Sequence, residues 1–140
     1  MREKDVLKSF IGIAKEIGKS SREAKEAFEY ASGRLNAMLD EFKELGRQAL
    51  IELDTDKSKF AMVLFGRPYN AFAKEANLNI PHKFSSKNMM IIPHDFLSSD
   101  TLKSYENMYW FSGQQILKSA RIVKEHKQLF GVYITNFSCG

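Results

Sequence analysis

The chain has 140 residues, 44% hydrophobic and 27% charged, with 8 Gly and 3 Pro, which fits one ordinary globular domain and excludes a fibrous or low-complexity chain. No window approaches 18 uncharged apolar residues, and the first ten, MREKDVLKSF, lack an apolar centre, so neither a membrane span nor a secretory leader is expected. The net charge of +4 sits entirely in the second part, because residues 1–59 carry 12 basic and 12 acidic side chains and residues 60–140 carry 9 and 5.

That surplus contains no block of five Lys or Arg, so a nucleic-acid partner is not expected, and a phosphate-bearing small ligand suits it better. The single cysteine, Cys139, cannot close an internal disulfide and fits a reducing, cytoplasmic compartment.

Residues 1–53 read as a helical extension of two helices. Val6, Phe10, Ile13 and Ile17 recur at spacings of 4, 3 and 4, one apolar stripe ended by Gly18. Ser20-Ser21-Arg22-Glu23 has the form of a capping box that starts a second helix. Phe28, Ala31, Leu35, Met38, Phe42, Leu45 and Ala49 then alternate spacings of 3 and 4, a coiled-coil-like seam. About 28 residues would span roughly 42 Å, longer than a compact domain of this size needs. The seam is therefore expected to be buried, in a hairpin packed on the rest of the fold, in a homodimer through the long helix, or against further domains.

Asp54–Lys59 is a polar connector, and residues 54–140 read as an α/β domain. Phe60–Phe65, Met89–Ile92 and Leu129–Phe137 are short apolar runs rich in Val, Ile and Phe, the pattern of buried strands. Between them lie an amphipathic stretch at Asn70–Ala76, a turn at Pro81–Ser86 and a helix at Ser112–His126, with Ser112 as its N-cap. Strands alternating with helices predict a three-stranded parallel sheet, Rossmann- or flavodoxin-like, of order 2-1-3, behind the long α-helical hairpin.

Ligands in such sheets bind beyond the carboxyl ends of the strands. That rule selects Gly66-Arg67-Pro68-Tyr69-Asn70, Pro93-His94-Asp95-Phe96 and Asn136-Phe137-Ser138-Cys139-Gly140. Gly66, Arg67, Tyr69, Asn70, His94, Asp95, Asn136 and Ser138 are the candidate ligand-binding residues. Arg67 either clamps a phosphate or carboxylate with its planar fork or is an exposed turn residue. His94 beside Asp95 could form an acid/base pair, but no nucleophile is evident, and Asp95 is expected to order its loop. His82 and His126 read as surface histidines. Tyr105, Tyr109, Trp110 and Phe111 read as core packing, with a pocket lid as the alternative.

Cys139 is the candidate metal ligand, yet one thiol cannot hold a zinc ion or an iron–sulfur cluster alone. The P-loop, dinucleotide and nucleophile-elbow motifs are absent, so no catalytic residue is assigned.

VLFGRPYNAFAKEANLNIPHKFSSKNMMIIPHDFL, NMYWFSGQQILKSARIVKEH and LFGVYITNFSCG closely resemble the CoA-substrate-specific enzyme activases. These are the acyl-CoA dehydratase activase-related proteins of the 2-hydroxyglutaryl-CoA dehydratase system. The resemblance implies a parent that joins ATPase domains to a region like the dehydratase component, with a 4Fe-4S cluster. This chain would correspond to part of that latter region, a fragment whose C-terminal segment continues in the family. It further implies that Cys139 is one cluster ligand with companions from elsewhere. The partners would be the remaining parent domains, the dehydratase component or a CoA-type ligand. The isolated chain is expected to fold, to bind no cluster and to be inactive.

Overall fold

The structure, a computed structural model, describes residues 3–135. The chain forms two compact units, Met1–Glu41 and Phe42–Gly140.

In the first unit, helix α1 spans Glu3–Glu16. Its end is a Schellman closure, in which the Lys19 amide donates to the Ala14 carbonyl (2.8 Å) and the Gly18 amide to that of Lys15 (3.1 Å). The capping box forms as expected: the Glu23 amide donates to Ser20 Oγ (3.2 Å) and the Ser20 amide to Glu23 Oε2 (2.9 Å). It starts α2, Ser21–Thr55. This helix runs 35 residues, longer than the roughly 28 expected, and it takes in Asp54 and Thr55 of the anticipated connector.

Within the chain the seam is covered only in part, at Phe28, Phe42 and Ala49. The Phe10 and Phe28 rings meet at 5.5 Å and Ala14 and Ala24 are buried, but Ile13, Ile17, Leu35 and Met38 stay exposed. A 14-residue α1 reaches roughly 21 Å and can cover only the first turns of α2. Phe10, Ile13, Ile17, Phe28 and Leu35 line a cavity of about 650 Å³.

The second unit holds a parallel sheet of β1 (Ala61–Phe65), β2 (Met90–Pro93) and β3 (Leu129–Tyr133), in the order β2-β1-β3. Ala61 lies opposite Met90 on one side and Leu129 on the other. Ala61, Val63 and Phe65 share one face with Ile92 and Leu129, and pack with Leu53 and Leu97 as the core. Ala49 and Leu50 from α2, and Ile116, Ile122 and Val123 from α5 (Phe111–Glu125), close over it. Leu64 on the other face is also buried, so β1 reads as an unbroken apolar run because both faces are covered.

Gly46 of α2 is set by this packing: a Cβ there would stand 2.1 Å from the Phe96 carbonyl oxygen. Gln128 Nε2 donates to the Leu53 and Lys59 carbonyls, both at 2.8 Å, and fastens the end of α2 to β3.

Several local expectations are corrected. Strand β3 ends at Tyr133. The helix after β1 is only α3, Pro68–Ala71, followed by turns, while the turn expected at Pro81–Ser86 is a helix, α4, Ile80–Ser85. The N-cap of α5 is Trp110, not Ser112, since the Trp110 carbonyl already accepts the Gln114 amide at 2.9 Å. Tyr109, Trp110 and Phe111 are 88%, 76% and 79% exposed and Tyr105 is exposed too, so this cluster is not core; α5 reaches the sheet only from Ile116 onward. His126 is half-buried, its Nδ1 accepting the Gln128 amide at 3.3 Å. His82 is exposed as expected.

Candidate functional site

The carboxyl end of β1 runs into Gly66, whose φ of +150° is open to glycine alone. A Cβ here would also lie 2.5 Å from the Ile134 carbonyl oxygen, and the Ile134 amide donates to the Phe65 carbonyl at 2.8 Å. The segment leaving β3 therefore lies against the segment leaving β1. Pro68, at the first turn of α3, presets its φ. The Arg67 carbonyl accepts the Asn70 and Ala71 amides at 2.8 and 2.9 Å. This turn leaves Arg67 and Tyr69 exposed and drives Asn70 inward, to 2% exposure.

Strand β2 passes directly into a 3-10 turn, His94–Phe96. His94 is 6% exposed, its carbonyl accepting Ser119 Oγ from α5 at 2.9 Å. Burial pushes its pKa below the ordinary histidine value, against the Asp95 charge and the Gly66 hydrogen bond, which pull it up. The imidazole is thus held neutral at pH 7.

Among the described residues the segments leaving β1 and β3 meet at Gly66, and His94 follows β2. Among the described residues, three buried side-chain atoms have no hydrogen-bond partner: Asn70 Oδ1, His94 Nδ1 and Asp95 Oδ1. All three stand on the loops that follow β1 and β2. For Asp95 this corrects the expectation of a loop-ordering role, at least at that oxygen.

Asn136, Ser138 and Cys139 lie outside the described residues. Among the described residues no group of three His, Cys, Asp or Glu could hold a metal ion. With one cysteine in the chain, the donor set present does not fit an iron–sulfur cluster, which takes several thiolates, and no step is assigned to one. Nor is any helix among the described residues long and apolar enough to cross a membrane.

Sequence reasoning missed two supports of the site. Ser119 holds the His94 main chain, and buried Asn77 donates from Nδ2 to the Ala71 carbonyl at 2.8 Å. Asn77 also accepts the Asn79 amide at 2.9 Å, an Asx turn for which the Asn-Leu-Asn triplet is a legible signal.

A family model described as the CoA enzyme activase uncharacterised domain matches residues 1–97. The match takes in both helices before β1, where no distinctive motif stands, and ends at Leu97. No curated protein and no solved structure matches the chain.

Proposed function

The chain belongs to the family of the CoA enzyme activase uncharacterised domain, and from that premise we propose that its α/β unit is a ligand-binding module whose sheet edge takes a CoA-type ligand. The activase it serves would be of the kind acting on 2-hydroxyacyl-CoA dehydratases such as 2-hydroxyglutaryl-CoA dehydratase. The observation that carries this reading is the meeting of the segments that leave β1 and β3 at Gly66, with Arg67 exposed beside it.

Gly66 is buried, and its missing side chain makes room for the Ile134 carbonyl and Ala71 beneath this edge. Arg67, exposed beside it, offers a planar fork to phosphate oxygens and stays charged at any working pH. The chemistry of these residues is recognition and positioning: no nucleophile stands beside His94, and no bond-breaking step is assigned. If a cluster belongs to the parent assembly, Cys139 would supply one ligand and other polypeptide the rest.

Calorimetry with CoA tests the reading. Binding should weaken by about 1.5–3 kcal/mol in Arg67→Ala, the range for losing a charged hydrogen bond. Equal affinity in the two proteins would return Arg67 to an exposed turn residue.

A second reading, a non-catalytic interaction module, is favoured by Leu35, Met38, Leu39 and Leu45, all exposed along α2. A homodimer through that helix should appear in sedimentation as a concentration-dependent mass that Leu35→Glu abolishes. A monomer at every concentration would remove the homodimer.

A further inference from the structure

The run Tyr109-Trp110-Phe111 belongs neither to the core nor to the ligand edge. Its three rings are 88%, 76% and 79% exposed, and Tyr105 on the same loop is 42% exposed. Rings left in water forfeit the burial that folding normally gives them, so what holds them out needs a physical account.

One side chain supplies it. Gln114 Oε1 accepts the Tyr105 amide at 2.9 Å, and Gln114 Nε2 donates to the Tyr105 and Met108 carbonyls at 2.6 and 2.5 Å. Gly113 leaves room for the Met108 side chain, since a Cβ there would stand 2.3 Å from Met108 Sδ. The loop is thus fastened to the α5 helix that follows it, and the rings are displayed on a fixed frame. A frame ordered in advance lowers the entropic cost of association, and exposed Trp and Tyr on such a frame have the character of interface anchors.

Charge narrows the partner. No charged side chain stands between Asn107 and Leu117. At the rim Lys103 pairs with Glu106 at 3.8 Å and Arg121 with Glu125 at 3.0 Å. Such a surface offers little to a nucleic-acid backbone or an acidic membrane, both of which call for clustered free cations. Neutral rings suit other neutral rings, which pack offset or edge to face, and two identical uncharged patches meet without repulsion. Full cover of these four side chains would remove about 600 Å² of aromatic surface per copy, at about 200 Å² for a fully exposed ring. Two copies would bury about 1,200 Å², which reaches the standard size of a stable interface.

We infer that Tyr105 and the Tyr109-Trp110-Phe111 run are a dimerisation surface, covered by the same surface of a second copy of this chain across a two-fold axis. This interface depends neither on the CoA reading nor on the α2 seam.

Trp110 is the single tryptophan of the chain, so intrinsic fluorescence reports on this surface alone. Dilution of the whole chain should move its emission to longer wavelength over the same concentrations at which sedimentation shows the mass halving. That series needs no variant. Tyr109→Ser, at a residue too exposed to support the fold, should raise the midpoint concentration at least about tenfold, and Leu35→Glu should leave the emission shift in place.

A mass change without an emission shift, or one that Leu35→Glu abolishes and Tyr109→Ser does not, would put the dimer on α2 and overturn the proposal. A monomer at every concentration would overturn it too, whether its indole emission is that of an exposed ring or of one turned back onto its own chain. An emission shift on adding phosphatidylcholine vesicles to a protein that stays monomeric would overturn it in favour of a lipid surface.

Discussion

The His94 imidazole lies parallel to the Phe65 ring, their centroids 5.6 Å apart and their planes 6° from coplanar. This stacking sets a polar, titratable ring on the end of the central strand, where Phe65 belongs to the hydrophobic core. The packing that completes the core thus also excludes water from His94.

Stability should therefore depend on the protonation of His94. An unfolded histidine takes up its proton near pH 6.5, whereas the buried native ring, with its lowered pKa, resists. The unfolded state then binds more protons below that pH, so stability is complete above about pH 6.5 and is lost as the pH falls through it. The denaturant midpoint of the wild type should drop between about pH 7.5 and about pH 5.5, and that of His94→Phe should drop less. Equal drops would assign the effect to other groups.

Gly66→Ala should cost about 1–3 kcal/mol, since alanine at a φ of +150° is strained and its Cβ would press on the Ile134 carbonyl. Equilibrium urea unfolding measures the loss. A neutral change would mean that the Phe65–Ile134 junction yields without cost.

Two glycines of α2 should respond in opposite directions. Gly33 has nothing within 4 Å of its would-be Cβ, so Gly33→Ala should stabilise by about 1 kcal/mol through helix propensity. Gly46→Ala gains the same propensity but drives its Cβ to 2.1 Å from the Phe96 carbonyl oxygen. Overpacking of about 1–3 kcal/mol outweighs the gain, so this variant should melt lower, and paired thermal melts decide the signs.

Leu53→Ala and Leu35→Glu should likewise differ. Leu53 is fully buried in the core, and its truncation should cost about 2–5 kcal/mol. Leu35 is 53% exposed, so even a charge there should change monomer stability by no more than about 0.5 kcal/mol. Chemical denaturation of the two variants side by side would show a large gap, and comparable losses would mean that Leu35 is covered in solution.

Much of the fold is legible in local chemistry. The capping box at Ser20 and Glu23, the stop at Gly18 and the three apolar runs act over a few residues, and the parallel 2-1-3 order follows from strand–helix alternation. The loops after β1 and β2 could be named as candidate ligand loops for the same reason, since the carboxyl ends of parallel strands lie on one edge.

Burial was not legible in this way, because periodicity says which side chains share a face and not whether another element reaches it. Leu35 and Met38 of the α2 seam and the Tyr109-Trp110-Phe111 cluster are apolar in sequence and exposed in the structure, α1 being too short for the one and α5 meeting the sheet too late for the other. The reverse holds for Asn70, His94 and Asp95: nothing in their local sequence distinguishes them from surface polar residues. Asn70 is turned inward by α3, and the His94 ring is covered by Phe65 while Ser119 of α5 holds its main chain. By itself the sequence determined the elements, their order in the sheet and the edge at which ligand loops gather. Tertiary packing decided which polar atoms at that edge lose water, since desolvation depends on neighbours distant in the chain.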